Sequence, residues 1–182
     1  MKKNKEKILE AKKIAIFGWP ATGKSTFGKY LSELSEIPLY PLDLLRWNNM
    51  KGNQKDDEQF LVEYNKILSK DEWIIEGNAL DWISSRLEQA DMLFFFESTT
   101  EKCIDNYKLR QQNIENGIEK RINFVKEDKP MEETINWIKN RYSKKIDALR
   151  LQLKDYDDKL IIINDYEDLD KILKEIGSEV IR

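Results

Sequence analysis

The stretch Gly18-Trp19-Pro20-Ala21-Thr22-Gly23-Lys24-Ser25 constrains this chain more than any other part of it. It reads glycine, four free positions, glycine, lysine, hydroxyl. Before it, Lys13-Ile14-Ala15-Ile16-Phe17 is a short β-branched and aromatic run of the kind that fills a buried strand. After it, Phe27, Tyr30, Leu31 and Leu34 fall at i, i+3, i+4 and i+7, one face of a helix over 25–34. A strand that ends in this spacing and opens directly into a helix is the context that makes it a phosphate-binding loop. Gly18 and Gly23 permit backbone angles that a Cβ obstructs, so successive N–H groups turn inward around an anion. The start of the helix adds its own N–H groups and the positive end of its dipole. Gly18, Trp19, Pro20, Ala21, Thr22, Gly23, Lys24, Ser25 and Thr26 are therefore expected to bind a nucleotide. Lys24 reaches the β- and γ-phosphates and the Ser25 hydroxyl ligates Mg2+. Trp19 is expected to point outward, near the nucleotide.

The rest of the chain alternates short apolar runs with helical patterns. Residues 38–42 form a brief second strand with edge-like prolines, 48–57 are polar and read as loop, and 58–69 carry Phe60, Leu61, Tyr64, Ile67 and Leu68 at helical spacing. Residues 73–76 are a third strand closed by Gly77, and a short helix runs through Arg86 and Leu87. Residues 92–96 are apolar throughout, as in a strand covered on both faces. A fifth strand at 160–163 and an amphipathic helix at 166–176 close the chain. Between them, 132–153 reads as one long helix with Ile135, Ile138, Tyr142, Ile146, Leu149 and Leu153 down one face; Gly117 and Lys129-Pro130 make 113–130 the expected mobile segment. Strands separated by helices imply an α/β fold, a five-stranded parallel sheet with helices on both faces.

The 182 residues suffice for one substantial core and are few for two, so 1–182 is read as a single domain. With 5 Trp, 7 Tyr and 7 Phe there is core material enough for a folded, soluble chain despite 36% charged residues. The complete lack of histidine excludes Ser-His-Asp and Cys-His nucleophilic sites and imidazole general bases. The lone Cys103 excludes an internal disulfide and a cysteine-rich zinc cluster. A net charge of -3 offers no global attraction to nucleic acid or to an anionic membrane, so neither is a favoured partner. Residues 101–154 nevertheless hold 13 basic against 9 acidic side chains, a net +4, read either as a solvated helix surface or as a basic cover over a polyanionic ligand. No run approaches the ~20 apolar residues of a membrane span. The lysine-rich start lacks the apolar run of a signal peptide and is expected to lead straight into the first strand; a cytoplasmic location is the natural inference.

Absences narrow the class of phosphate-loop protein. The chain has no N-K-x-D or D-x-x-G motif, against a GTPase, and its fourth strand ends in Phe96-Glu97-Ser98 without an Asp-Glu pair, against a typical water-activating ATPase. A small phosphotransferase remains, one whose acceptor is a bound metabolite.

Together with the loop, Pro41-Leu42-Asp43-Leu44-Leu45-Arg46-Trp47 and Trp73-Ile74-Ile75-Glu76-Gly77-Asn78 resemble the adenylate-kinase-like P-loop family of DNA topology modulation proteins (FlaR-like). The resemblance covers 13–101 and resumes around 137–145 and at the fifth strand. It implies a P-loop NTPase fold like that of nucleoside monophosphate kinases, with a core of 13–43, 70–98 and 155–182, an acceptor-binding insertion at 44–69, and a lid with the long helix at 99–154. Its motifs imply ATP-dependent phosphoryl transfer, and its name a DNA-related role.

Carried over by residue, Asp43 holds an Mg2+ water or orients the acceptor, Arg46 holds an acceptor phosphate, Glu76 organises the Mg2+ shell and Arg86 is a second acceptor-site arginine. Arg110, Arg121 and Arg141 are the lid arginines. Three departures stand out: Ala21 replaces a common glycine, Glu76 replaces the usual, shorter Asp, and Asp81 stands where a basic residue is common, which makes the acceptor pocket less positive. Structural readings stay open beside these. Asp43 suits a helix N-cap, Glu76 a partner for a neighbouring lysine, and Arg46 and Arg86 exposed surface. Trp47, Trp82 and Trp137 suit packing, and Cys103 a small buried hydrophobe. The combined expectation is an ATP- and Mg2+-dependent phosphotransferase acting on a small acceptor, with lid closure excluding water. A nucleoside monophosphate acceptor needs no general base; an alcohol makes Asp43 the candidate base. The alternative is a nucleotide-binding DNA topology modulation or regulatory protein.

Overall fold

A computed structural model describes residues 2–48, 53–54, 56–118 and 130–177. Along the chain run α1 (Lys2–Glu10), β1 (Lys13–Gly18), α2 (Lys24–Ser35), β2 (Leu39–Pro41), α3 (Leu42–Arg46), β3 (Trp47–Asn48), β4 (Asn53–Gln54), α4 (Asp57–Leu68) and β5 (Trp73–Glu76). A 3-10 turn (Leu80–Trp82), α5 (Ser84–Gln89), β6 (Met92–Phe96), α6 (Thr100–Glu115) and α7 (Met131–Trp137) follow. A π turn (Ile138–Tyr142) joins α7 to α8 (Ser143–Leu153), and a 3-10 turn (Lys154–Tyr156), β7 (Leu160–Ile163) and α9 (Tyr166–Gly177) complete the chain.

Among the described residues, five strands form one parallel sheet in the order β2-β5-β1-β6-β7. From β1 the chain builds first to one side and then to the other, so the loop after β1 lies where the two directions part. Ligand crevices of parallel sheets form at that place. The register sets Ile16 beside Glu76 and Gly18 beside Phe96, which brings the carboxyl ends of the three central strands level with one another.

Alternation along those strands divides the core into two layers. Ala15, Phe17, Trp73, Ile75, Leu93 and Phe95 face one side, against α4, α5, α6 and the segment from Ile138 to Leu153. Ile14, Ile16, Ile74, Met92, Phe94 and Phe96 face the other, against α1, α2 and α9. Phe27 of α2 packs on Phe94 and Phe96 at 4.9 and 5.6 Å between centroids. Each such buried aromatic contributes about 1.5–3 kcal/mol relative to exposure. Helices on both faces explain why β5 and β6 read as continuous apolar runs.

Three expectations need correction. The lysine-rich start does not lead straight into β1: it forms α1, whose Ile8, with Ala11 just after the helix, is buried in the layer shared with α9. The polar segment 48–57 is not wholly loop, because Trp47 pairs with Gln54 and Asn48 with Asn53 in a short antiparallel pair that carries no apolar alternation to announce it. The helix at 132–153 is interrupted by the π turn, which inserts one residue into the helical repeat. Of the expected mobile segment 113–130, residues 119–129 lie outside the described residues, and α6 continues to Glu115. Among the described residues no helix is long and apolar enough to cross a membrane.

Candidate active site

The loop from Gly18 to Gly23 turns by way of three residues in left-handed geometry: Gly18 (φ 125°), Ala21 (φ 54°) and Gly23 (φ 92°). At Gly18 the need for glycine is also steric, since a Cβ there would stand 2.2 Å from the Phe96 carbonyl oxygen. The carbonyls of residues 18–21 each have a partner. Gly18 O accepts from the Tyr142 hydroxyl at 2.8 Å, and Trp19 O from Thr22 Oγ1 at 2.7 Å and Lys24 Nζ at 2.5 Å. Pro20 O accepts from Cys103 Sγ and Ala21 O from Asn106 Nδ2, both at 3.2 Å. The Gly18 and Trp19 N–H groups are also engaged, by Asn78 Oδ1 at 3.0 Å and the Phe96 carbonyl at 2.9 Å, and Pro20 has none, so the N–H groups of residues 21–24 are those that can line a concavity for an anion. The helix that follows has Gly23 at its N-cap and no side chain on its first N–H groups, so these too face the concavity.

Lys24 is buried in this concavity, and burial pulls its pKa below the usual lysine range against the opposing pull of Glu76 and Asp43. Ser25 Oγ lies 3.2 Å from Glu76 Oε2. Burial raises the Glu76 pKa; Lys24 lowers it and Asp43 raises it again. Asp43 lies in the first turn of α3, two residues beyond the end of β2, and is exposed. Four groups thus converge at the carboxyl ends of β1, β2 and β5: an ammonium, a hydroxyl and two carboxylates. Hard oxygen donors of this kind fit Mg2+, which takes one or two carboxylates and completes its shell with water and phosphate oxygens. Among the described residues no group of three or more His, Cys, Asp or Glu is placed as an all-protein cage.

The arginines are distributed differently from expectation. Arg86 is neither exposed nor open to an acceptor. It is wholly buried, donates to the carbonyls of Gly77 (2.8 Å) and Asn78, and lies over the Tyr64 ring. Its guanidinium ties the turn after β5 to α5. Arg46 is half-buried, paired with Asp57 at 2.5 Å, and lies 5.0 Å from each of the Phe60 and Trp82 rings. Arg110 sits on the face of α6 that also presents Cys103 and Asn106, and its charge is felt at Lys24. Arg141, in the π turn, is exposed, and Arg121 lies outside the described residues.

Trp19 does not point outward. It is 2% exposed, packs edge-on against Tyr142, and its indole N–H donates to Glu97 Oε1 at 2.8 Å. Glu97 also receives two bonds from Arg150 of α8, at 2.7 and 2.8 Å. Burial alone would raise the Glu97 pKa, but Arg150, the Ser98 N–H and the Trp19 indole together hold it below the usual range. Trp82 packs on Phe60, whereas Trp137 is 43% exposed beside Tyr142. Cys103 is buried as expected, and burial pushes its thiol up to about 11. Asp81 pairs with Lys145 of α8 at 2.7 Å. Sequence reasoning missed Asn78, Glu97, Asn106, Tyr142 and Arg150 as supports of the loop. Tyr142 carried only a core-periodicity signal, and none of the five falls within the loop motif.

No protein-family model matches the chain, and no curated protein matches it in sequence. Solved structures do. The shikimate kinase of Bacteroides thetaiotaomicron is 14% identical over 94% of this chain and 99% of its own, with a TM-score of 0.54. The shikimate kinase of Acinetobacter baumannii, solved in complex with shikimate, is 16% identical over 98% of this chain and 99% of its own, also at 0.54. The sheet order, the loop after its central strand and these likenesses together give the chain the fold of the P-loop kinases.

Proposed function

We propose that this chain is an ATP- and Mg2+-dependent kinase that transfers the γ-phosphoryl group to a hydroxyl of a small acceptor bound beside Asp43. The observation that carries the reading is the convergence of Lys24, Ser25, Glu76 and Asp43 on the phosphate loop. Phosphoryl transfer asks a protein mainly for positioning and charge neutralisation. The N–H groups of residues 21–24 hold the phosphates, and Lys24 supplies positive charge at the transferring group. Ser25 and Glu76 would hold Mg2+, which would supply positive charge to offset that of the phosphates. Arg110, whose charge reaches Lys24, adds to the same field.

A hydroxyl acceptor is favoured over a phosphate acceptor by the state of the arginines. Arg86 has no exposed surface, and Arg46 is engaged by Asp57 and lies against the Phe60 and Trp82 rings. A hydroxyl must lose its proton during transfer, and Asp43 is the exposed carboxylate on this edge of the sheet, near enough for its charge to act on Lys24 and Glu76. The fold likeness to kinases of shikimate, a hydroxy acid, points in the same direction.

The test is a phosphotransfer screen with Mg·ATP against small alcohols, polyols, hydroxy acids and nucleoside monophosphates, comparing wild type with Asp43→Asn and Lys24→Ala. A hydroxyl compound is expected to be phosphorylated, with kcat reduced about 10²–10⁴-fold in Asp43→Asn and activity lost in Lys24→Ala. Phosphorylation of nucleoside monophosphates with Asp43→Asn unimpaired would restore the nucleotide-acceptor reading. ATP hydrolysis indifferent to every acceptor would remove the kinase reading.

A further inference from the structure

The N–H and the carbonyl of Gly18, where β1 becomes the phosphate loop, are each bonded to a side chain from elsewhere in the fold. The Gly18 N–H donates to Asn78 Oδ1 at 3.0 Å, and the Tyr142 hydroxyl donates to the Gly18 carbonyl at 2.8 Å. Gly18 is therefore held on its N–H side from the turn after β5 and on its carbonyl side from the π turn.

Neither side chain is free to drift. Arg86, itself buried, donates to the carbonyls of Gly77 and Asn78, in the two peptide groups that flank the Asn78 Cα. Tyr142 is 2% exposed, with Trp19 at 5.8 Å on one side and Trp137 at 4.8 Å on the other. The π turn creates that second contact. Residues five apart on an α-helix stand about 140° apart around the axis, whereas a turn closed by i→i+5 bonds brings them to one face. The Ser143 N–H bonds to the Ile138 carbonyl in that pattern. Burial raises the Tyr142 pKa well above its ordinary value, so the hydroxyl remains a donor across the physiological range.

We propose that Tyr142 and Asn78 are positioning residues of the phosphate loop. They fix the peptide groups on either side of Gly18, where the loop leaves β1, and so set the position from which the N–H groups farther along the loop meet the phosphates of a bound nucleotide. The inference rests on the phosphate-site reading above and adds that residues 60 and 124 positions away from Gly18 tune it. Tyr142 touches no phosphate and acts through the Gly18 carbonyl.

The test measures Mg·ADP affinity by calorimetry well below the unfolding temperature, for wild type, Lys24→Ala, Tyr142→Phe, Asn78→Ala, the double variant and Ile146→Val. Tyr142→Phe keeps the ring between Trp19 and Trp137 and removes only the hydroxyl. Its Kd is expected to rise about tenfold, in line with the buried Gly18 carbonyl losing its donor. The double variant should fall well short of the product of the single effects, because both bonds hold the same residue, Gly18. Ile146→Val, one helical turn on and buried, lowers the unfolding temperature but should leave Kd within about twofold, since it removes neither bond to Gly18. Wild-type affinity in Tyr142→Phe overturns the inference, and so does an equal loss in Ile146→Val, which would make the effect one of general stability. A wild type that binds no Mg·ADP, or binds it as well after Lys24→Ala, fails the phosphate-site reading instead, and that failure shows before Tyr142 or Asn78 is changed.

Discussion

Replacing Gly18 with alanine should be among the most costly single-methyl changes in this chain, and the structure lets the cost be divided. The new Cβ would lie 2.2 Å from the Phe96 carbonyl oxygen, 2.7 Å from its nitrogen and 2.8 Å from its carbonyl carbon. Carbon and carbonyl oxygen normally meet no closer than about 3.3 Å, so roughly 1 Å must be found. The obstacle is backbone of β6, a strand buried between two helical layers, and no side chain can swing aside. Relief must part β1 from β6 where Trp19 N–H bonds to Phe96 O at 2.9 Å. Overpacking of this kind costs about 1–3 kcal/mol, and holding a φ of 125° without glycine adds about 1–3 kcal/mol. The sum, about 2–6 kcal/mol, corresponds to a Tm lowered by about 5–20 °C. Gly23→Ala is the internal reference: its φ is 92°, but a Cβ there meets nothing within 4 Å, so only the conformational part, about 1–2 kcal/mol, should appear. Urea unfolding followed by tryptophan fluorescence and far-UV circular dichroism measures both, with unchanged m-values as the condition for comparing them. If Gly18→Ala proves no more destabilising than Gly23→Ala, the steric account of the β1–β6 approach is wrong.

Ala21 holds a left-handed φ of 54° at a loop position. Ala21→Gly should relieve strain by more than it adds chain entropy and stabilise by about 0.5–1 kcal/mol in the same urea assay; a loss of stability would mean that the alanine methyl packs usefully. Glu97 has its folded pKa held below the ordinary carboxylate range, so its contribution is fully present above the unfolded value and is lost as pH falls through the folded one. The stability difference between wild type and Glu97→Gln should therefore be largest near neutrality and shrink in acid. A difference that stays level as the carboxylate is titrated would contradict the bonding assigned to Arg150 and Trp19.

Local pattern made much of the architecture readable. The runs around Ile14, Ile74 and Phe94 are apolar throughout because helices cover both sides of the sheet, and the loop spacing from Gly18 to Ser25 needs only adjacent residues. The start of α1 carried too short an apolar signal, because Ile8 and Ala11 find their partners on α9, at the far end of the chain. The π turn left the apolar spacing from Ile138 to Leu153 intact and so left no mark in it.

At the candidate site the division is sharper. By itself, the sequence picked out 18–25 as the candidate phosphate loop, with Lys24 and Ser25 as its candidate lysine and hydroxyl, and determined that any chemistry must proceed without imidazole. Tertiary structure alone decided that Trp19 turns inward to Glu97, that Arg86 is spent on the carbonyls of Gly77 and Asn78, and that Asn78 and Tyr142 both bond to Gly18. The reason is distance along the chain. A phosphate loop is defined by neighbours, but its carbonyls take their partners from wherever the fold brings donors, and no spacing in the sequence records a hydrogen bond between residues 18 and 142.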